Sequence, residues 1–396
     1  MKPKRICVIG NFSGRNAGDA AILDGAMEDI HALSRDVIFD VPTINPAFVR
    51  RQFPGVPVEP RGMLPWNLSV KIFGWPILAS IYRSDVVLVT DAILFDRKLF
   101  NPLYNYLSTM ALVLPWARRL GKPVILYNVS LGPVSTGAGI GCLRRVVKAS
   151  DHVVVRDRES VEMCEQVGID LGDVGEGADC ALNVRATDGA ALDAIFEKES
   201  LGAPEDPFIT VNINSYLDVF LKRGQRTGEA DFIQIMAGAV DRLIEELNVR
   251  VIFVETQPMD LPLANKVFAA VRTRDAIRMI DNRTWSHRDL AGVFGRAQMH
   301  IGMRTHSLIL ASAMHTPVVG IICTPKNRGY MRSIRQEARM IEFDDFTPDN
   351  FLNLCRTVWR ERDQIRAELG GIIPEEKEKA RRTARLVLPY LHDTVP

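Results

Sequence analysis

Short apolar runs alternate with longer amphipathic stretches along most of the chain. The short runs are rich in Val and Ile and are bounded by Gly, Pro, Asn or Asp, which is typical of buried parallel strands. They predict strands over residues 5–10, 85–90, 124–130, 152–157, 208–214, 249–255, 277–281, 299–302 and 318–322. The amphipathic stretches predict helices over 19–33, 101–120, 159–166, 231–247, 263–271 and 305–314, and Ser286 with Asp289 resembles a capping box that opens another. This alternation predicts an α/β fold with parallel sheets.

The length sets the number of domains. At about 150 residues per domain, a chain of 396 residues is expected to form two or three domains. We expect a first Rossmann-like domain over 1–190, a second over 200–345 and a helical tail over 346–396 that crosses back to the first. This order resembles the glycosyltransferase-B architecture, in which ligands bind between the two domains at the carboxyl ends of the strands.

Composition narrows the classes of function. Hydrophobic residues make up 47% and charged residues 24% of the chain, as in an ordinary globular protein and unlike a disordered one. The 49 basic and 48 acidic residues give a formal charge of +1, which argues against a nucleic-acid partner. The six cysteines are scattered without a C-x-x-C pair, so we expect reduced thiols, no metal site and a cytoplasmic protein.

The stretch 63–82 is apolar and aromatic but is interrupted by Pro, Asn, Lys and Gly. A membrane-spanning helix needs about 20 predominantly apolar residues, so this stretch does not predict one. Two interpretations stay open: a buried segment followed by a helix, or a surface that touches a lipid-linked substrate at the inner face of the membrane. Trp66, Phe73 and Trp75 suit the second interpretation.

The first candidate site is GNFSGRNAGDAAI (10–22), a glycine-rich turn that follows the first predicted strand. It lacks both the G-x-G-x-x-G and the G-K-[ST] patterns, so neither a dinucleotide nor a P-loop site is indicated. The following helix N-terminus offers N–H groups to an anion or a polar substrate. Asp19 in its first turn is either a functional carboxylate or a complement to the helix dipole.

Two arginines stand where predicted strands end. Arg156 closes the apolar run VVVR, and its guanidinium would either reach the presumed cleft or form a structural ion pair. HIGMRTH (300–306) places Arg304 and His306 at the first turn of a helix. The planar guanidinium of Arg304 can bind carboxylate or phosphate, and the imidazole of His306 can donate a proton. Together they indicate an anion site with a proton donor. We interpret His300 and His315 as packing residues.

The sequence resembles the polysaccharide pyruvyl transferase family over most of residues 5–335. The resemblance is carried by N-x-G-D at Asn16 to Asp19, GKPVILYNVSLGPV (121–134), VVVRDRES (153–160), Asp179, and M-R-x-H followed by P-V-V-G-I. Two features depart from the family pattern. Only Lys326 remains of the tyrosine and lysine that often end it, and TDAILFD (90–96) stands where relatives often carry a glycine triplet.

The resemblance implies transfer of pyruvyl from phosphoenolpyruvate to sugar hydroxyls of a glycan or glycolipid precursor, as a ketal and without a cofactor. It implies that His306 and Asp19 act as acid and base. The implied donor-binding residues are Arg156, Arg304, Thr305 and Lys326, with both arginines in one cleft, and the implied acceptor-side residues are Asn16, Gly18 and Asp91. A homo-oligomer is left open.

Two other functions remain as alternatives. A nucleotide-sugar glycosyltransferase of similar architecture would need a carboxylate for the ribose, for which Glu255 or Asp260 is available. A non-catalytic sugar-binding relative is the other, because the 90–96 loop is changed.

Overall fold

The computed structural model describes residues 3–53, 55–64, 75–101, 105–203, 206–215 and 228–391. Its strands are β1 (Lys4–Ile9), β2 (Val37–Thr43), β3 (Val58–Gly62), β4 (Val86–Val89), β5 (Val124–Val129), β6 (His152–Val155), β7 (Val174–Glu176), β8 (Phe208–Asn212), β9 (Arg250–Glu255), β10 (Ile277–Asp281), β11 (Met299–Gly302), β12 (Val318–Ile322) and β13 (Met340–Glu342). Its helices are α1 (Ala17–Leu33), α2 (Pro46–Gln52), α3 (Trp75–Arg83), α4 (Leu107–Arg119), α5 (Gly137–Ala149), α6 (Arg158–Gln166), α7 (Gly189–Lys198), α8 (Glu229–Leu247), α9 (Leu261–Ala270), α10 (His287–Arg296), α11 (Thr305–Ala313), α12 (Pro325–Ser333) and α13 (Pro348–Arg382).

The chain divides into two compact units. Unit 1 comprises Met1–Gly14, Asp19–Asn183 and Glu376–Pro396, and unit 2 comprises Arg15–Gly18 and Val184–Glu375. Each unit is built around one parallel sheet. No sequence signal marks residues 15–18 as part of unit 2, where the backbone N–H of Ala17 donates to the carbonyl of Thr256 at 2.9 Å.

The sheet of unit 1 has the strand order β3-β2-β1-β4-β5-β6-β7 among the described residues. All the pairings are parallel, and β4 and β5 are buried along their whole length. The strand order reverses between β1 and β4. At such a reversal the loops after neighbouring strands diverge and leave a crevice at the carboxyl ends, where α/β proteins bind ligands.

Helices α3, α4, α5 and α6 of unit 1 contribute to one hydrophobic cluster against the sheet. Ile77, Met110, Leu114, Val146 and Cys164 represent these helices, and each is at most 1% exposed. The fully buried Val and Ile strands therefore have a covered face, as their continuous apolar sequence predicts.

The C-terminal segment of the chain is held to unit 1 by the buried side chain of Asn128. Its Nδ2 donates to the carbonyl of Ala380 at 3.0 Å, and its Oδ1 accepts from the hydroxyl of Thr383 at 2.7 Å. The predicted return of the C-terminal helices to the first domain is confirmed.

Unit 2 repeats the same principle with the strand order β10-β9-β8-β11-β12-β13, again all parallel among the described residues. The order reverses between β8 and β11. The predicted α/β fold with two parallel sheets is thereby confirmed. The predicted capping box also forms, since the Ser286 hydroxyl accepts from Asp289 N–H and the Asp289 carboxylate accepts from Ser286 N–H.

Three negative predictions can be compared with the described residues. In this part of the chain no helix is long and apolar enough to cross a membrane. The six cysteines are free thiols, and no described cluster of His, Cys, Asp or Glu side chains is arranged to hold a metal ion. Half of the apolar stretch 63–82, residues 65–74 with Trp66 and Phe73, lies outside the described residues.

Candidate active site

In unit 2, the strand reversal places Asn212 beside the start of helix α11. Asn212 ends β8, and Arg304 follows β11 and is the N-cap residue of α11. The backbone N–H of Arg304 donates to Oδ1 of Asn212 at 3.1 Å. The side-chain amide of one central strand thus fixes the turn after its neighbour, and the first turn of α11 begins at the carboxyl edge of the sheet.

The guanidinium of Arg304 is held by Asp260. Its Nε donates to Oδ2 of Asp260 at 2.8 Å and its Nη2 to Oδ1 at 2.6 Å. The Asp260 side chain is fully buried, whereas that of Arg304 keeps 15% of its surface exposed. Ser215 N–H also donates to Oδ1 of Asp260 at 2.9 Å. The sequence assigns the Arg304 guanidinium to the phosphoenolpyruvate donor, but in the structure it binds the carboxylate of Asp260. This contact fixes the plane of the guanidinium.

Glu255 is a second buried carboxyl group at the end of β9. It accepts from Asn212 Nδ2 at 3.1 Å and from the backbone N–H of Ile213 at 3.1 Å. Burial, reinforced by repulsion from Asp260, raises the pKa of Glu255 well above its usual value. When Glu255 is protonated it is neutral. The neighbouring Arg304–Asp260 pair then has one positive and one negative charge, and Glu255 adds no further carboxylate charge beside it.

His306 lies in the first turn of α11 and packs against the loop 15–18. A Cβ atom at Gly18 would collide with the imidazole ring. The Gly18 N–H donates to Oδ1 of Asn16 at 2.9 Å, which shapes this loop. Two residues of the N-x-G-D motif therefore help to form the surroundings of His306 within unit 2.

The N-termini of α11 and α12 lie side by side. Thr324 caps α12 by accepting from the N–H of Asn327, and Nδ2 of Asn327 donates at 2.8 Å to the carbonyl of Met303, just before α11. Lys326 stands in the first turn of α12 and Thr305 in that of α11. Two helix N-termini and their positive dipole ends are thus combined at one edge of the sheet.

His300 lies fully buried beneath this turn. Its ring nitrogens are 3.0 Å from the hydroxyls of Thr210 and Ser307, and burial lowers its pKa to about 3. His300 is therefore neutral at ordinary pH and supports the turn that carries Arg304, because the Ser307 hydroxyl donates to the Arg304 carbonyl at 2.9 Å.

In unit 1, Asp19 forms a hydrogen-bonded chain with two residues at the reversal between β1 and β4. Nδ2 of Asn11 donates to Oδ2 of Asp19 at 2.8 Å, and the Tyr106 hydroxyl donates to Oδ1 of Asn11 at 3.2 Å. Burial, with the nearby charges of Asp91 and Asp19, raises the pKa of Tyr106. Tyr106 thus stays a neutral donor and fixes the amide that orients Asp19.

Arg156 follows β6 and forms an ion pair with Asp179 at 2.5 Å, with both side chains less than 10% exposed. Burial alone would lower the pKa of Arg156, but attraction from Asp179, Asp91 and Asp157 raises it overall. Arg156 is thus paired directly with Asp179 and is also attracted by the charges of Asp91 and Asp157.

Asp91 occupies the loop that departs from the family pattern. Its φ is 74°, in the left-handed region that glycine favours. Its own Oδ1 accepts from Ala92 N–H at 2.6 Å. The aspartate keeps the backbone shape for which a glycine would serve and adds a carboxylate, because Asp tolerates this conformation better than most residues.

Comparison with known proteins decides the family. A sequence profile described as "Polysaccharide pyruvyl transferase" matches residues 16–325. The chain belongs to the polysaccharide pyruvyl transferase family. Its curated relative, amylovoran biosynthesis protein AmsJ of Erwinia amylovora, is 24% identical over 408 aligned positions, which cover 94% of this chain and 96% of AmsJ.

Several solved structures share the fold of this chain. Anabaena Alr3699/HepE in complex with UDP matches with a TM-score of 0.60 at 12% identity, covering 98% of this chain and 99% of that one. UDP-GlcNAc 2-epimerase from Neisseria meningitidis matches with a TM-score of 0.64 at 9% identity, covering 98% and 99%. The ADP-heptose heptosyltransferase II of E. coli matches with a TM-score of 0.54 at 14% identity, covering 91% and 99%. These likenesses confirm the predicted glycosyltransferase-B-like fold.

Sequence reasoning missed Asn212 and Tyr106, and it considered Asp260 only as a carboxylate for a ribose. Asn212 could have been found as a polar residue that ends an apolar strand. Asp260 is 44 positions from Arg304 and Tyr106 is 95 positions from Asn11, and no local spacing signals either pairing.

Proposed function

We propose that this chain transfers the pyruvyl group of phosphoenolpyruvate to two hydroxyls of one sugar in a cell-surface or exopolysaccharide precursor. The products are a pyruvate ketal and phosphate. Membership of the polysaccharide pyruvyl transferase family supports the transfer. The observation that carries the choice of donor is the pair of adjoining helix N-termini beside Arg304.

Phosphoenolpyruvate carries a phosphate and a carboxylate, and its site must offer several donors of positive charge. The N-terminus of α11 brings Arg304, Thr305 and His306, and that of α12 brings Lys326. Helix N-terminal dipoles and cationic side chains together suit an anion with two charged groups. In this proposal Asp260 keeps the Arg304 guanidinium in one orientation for the donor.

His306 is the proposed general acid. It gives a proton to the methylene carbon of the donor, which makes C2 electrophilic. One sugar oxygen then bonds to C2 and the bond from C2 to the phosphate oxygen breaks. A second sugar oxygen closes the ketal. One hydroxyl proton passes through Asp19 to the released phosphate, and the other returns to His306. A positioned acid of this kind contributes roughly 10²–10⁴-fold in rate.

Asp19 is the proposed base for the attacking hydroxyl. Asn11 binds one of its two carboxylate oxygens, so its orientation is defined. Asp91 offers a carboxylate at the same sheet reversal of unit 1 and is proposed to bind acceptor hydroxyls. Asn16 and Gly18 remain proposed acceptor-side residues, with the added role of shaping the loop against His306.

The resemblance predicts that Arg156 binds the donor and shares one donor molecule with Arg304. That stays a prediction, and we propose a different role for Arg156 from its electrostatic surroundings. The three carboxylates around Arg156 make its surroundings negative, which disfavours a direct bond to a highly charged anion. In this proposal Arg156 instead holds the neighbouring carboxylates in place so that they can bind sugar hydroxyls.

Both candidates for the ribose carboxylate of a nucleotide-sugar site are already engaged. Glu255 and Asp260 are both fully buried. Asp260 binds Arg304 and Glu255 binds Asn212. Neither is presented to a ribose, so the structure favours the pyruvyl donor.

The direct test is incubation with phosphoenolpyruvate and a panel of glycosides, following phosphate release and product mass. We expect phosphate only when an acceptor is present, and a product heavier by one pyruvate ketal. The His306→Ala enzyme is the matched control for contaminating phosphatase. Consumption of a nucleotide sugar, with phosphoenolpyruvate left intact, would overturn the proposal.

A further inference from the structure

The charges of this chain are unevenly distributed. Between Arg97 and Ser150 there are eight Lys and Arg residues and no Asp or Glu. The whole chain is nearly balanced, with 49 basic and 48 acidic residues. The excess positive charge is therefore a local property of one segment of unit 1.

Helices α4 and α5 carry most of this charge to the surface. Their C-terminal ends meet, because Nη1 of Arg118 donates to the carbonyl of Lys148 at 2.8 Å. The exposed basic side chains of the two helices are Arg118, Arg119, Arg144, Arg145 and Lys148. Within the part of the chain that the structure describes, none of them is ion-paired with a carboxylate.

An apolar stripe accompanies the charges on α4. Leu112, Trp116 and Leu120 are spaced by four residues, which puts them on one side of a helix. They are 51%, 53% and 45% exposed. The Arg119 guanidinium lies 5.1 Å from the centre of the Trp116 ring, so the charge and the apolar stripe adjoin. We call these three residues and the five basic ones the α4–α5 face.

We propose that the α4–α5 face docks the protein on an anionic lipid bilayer. Exposed Leu and Trp side chains with Lys and Arg beside them are the combination by which amphipathic helices bind the boundary between headgroups and acyl chains. Trp prefers this boundary, and clustered basic residues are attracted to anionic headgroups. The absence of acidic residues from the sequence of both helices removes the repulsion that such a surface would otherwise exert.

The residues of this face differ from the 63–82 stretch that the sequence singled out. It also lies outside the proposed chemistry, since α4 and α5 contain none of the proposed donor, acceptor or catalytic residues. Docking on a bilayer can therefore be measured without any assay of transfer.

The test is co-sedimentation of the full chain with vesicles of phosphatidylcholine alone and of phosphatidylcholine with phosphatidylglycerol. We expect sedimentation with the anionic vesicles only. Raising NaCl from about 0.1 M to about 1 M shortens the Debye length from roughly 10 to 3 Å and should release most of the protein. Equal sedimentation with both vesicles, or with neither, overturns the proposal.

A charge variant and a matched control identify the surface. Arg144→Gln/Arg145→Gln/Lys148→Gln should weaken binding on the order of 100-fold, since each basic residue near an anionic bilayer contributes about fivefold. The control removes three exposed arginines of unit 2, as Arg242→Gln/Arg332→Gln/Arg360→Gln, and should retain binding. If both triple variants lose binding equally, the attraction is not specific to this face and the proposal fails.

The apolar stripe gives an independent variant. Trp116→Ser should weaken vesicle binding while leaving the melting temperature almost unchanged, because the side chain is half exposed. Light scattering of wild type and variant measures the oligomeric state and so tests whether a second copy of the chain occupies this face instead. A wild-type dimer that Trp116→Ser converts to a monomer would show that protein, not lipid, covers this face.

Discussion

Each unit of this chain places an arginine at the carboxyl edge of its parallel sheet, and each arginine is held by an aspartate. The surroundings of the two pairs differ. Arg304 and Asp260 form a two-bond fork next to two helix N-termini and Lys326. Arg156 and Asp179 form one close contact, with further carboxylates nearby.

The difference shows that an arginine at a strand end does not by itself define an anion site. Around Arg304, helix dipoles and a lysine add positive potential to a pair that is neutral in sum. Around Arg156, further carboxylates make the total negative. The same residue type therefore suits an anionic donor in unit 2 and the organisation of carboxylates in unit 1.

The largest effect is expected from removing the charge of Arg156. Arg156→Met leaves Asp179 buried without its counter-ion, which should lower the free energy of unfolding by about 3–5 kcal/mol. Chemical denaturation measures this. The double variant Arg156→Met/Asp179→Asn removes both charges and should recover a large part of the loss. A loss below about 1 kcal/mol in the single variant would mean that solvent screens this pair.

The next effect concerns His306. His306→Ala should keep most of its affinity for phosphoenolpyruvate, because Arg304 and the helix N-termini remain. Its kcat should fall by roughly 10²-fold or more. His306→Gln should rescue little, since an amide fills the space but delivers no proton. Near-normal turnover at saturating donor would assign His306 to positioning instead.

A smaller effect is expected from the loop that packs on His306. Gly18→Ala introduces a Cβ that collides with the imidazole, and the displaced ring should lower kcat by about 10-fold or more. Gly238→Ala, on α8 with open space around the added methyl, is the matched control and should leave kcat unchanged. Equal rates for the two variants would show that the position of His306 is not critical.

The smallest effect is a pH dependence at Glu255. Glu255→Gln loses the acceptor for Asn212 and should cost about 1 kcal/mol of unfolding free energy at acidic pH. Because the pKa of Glu255 is raised in the folded state, the stability that its proton contributes is present at low pH and lost as pH rises. The wild type should therefore approach the variant in denaturation curves measured at increasing pH. A gap that widens with pH would mean that Glu255 is stabilised as an anion.

Much of the fold follows from local sequence. Local sequence predicts β5, β10, β11 and β12 to within a residue. Every residue of β5 and β12 is buried, as expected of apolar runs in a parallel sheet. Strands β2 and β3 were not predicted. Asp40 and Pro42 in β2 and Pro60 in β3 interrupt the apolar pattern that predicts a strand. Asp40 is neutralised only in the folded chain, by an ion pair with Arg61 of β3. Helix α5 begins with a glycine-rich stretch that local propensity disfavours.

The candidate sites were predictable one residue at a time but not as arrangements. The sequence predicted Arg156 and Arg304 at the ends of strands, and the structure has them there. Their partners Asp179 and Asp260 depend on which strand ends adjoin, and that is decided by sheet order. The positions of the two arginines could therefore be predicted from the sequence. Their charged neighbours could not, because these depend on the tertiary structure.

The measurement that tests the central claim most directly is calorimetric titration of phosphoenolpyruvate into matched variants of the two regions. Arg304→Ala should raise the Kd by roughly 10–100-fold, and Arg304→Lys should restore only part of the affinity because an ammonium lacks the planar fork. Arg156→Met/Asp179→Asn, whose fold is checked first by its melting temperature, should bind within about threefold of wild type. The opposite order, with affinity lost at Arg156 and kept at Arg304, would contradict the account.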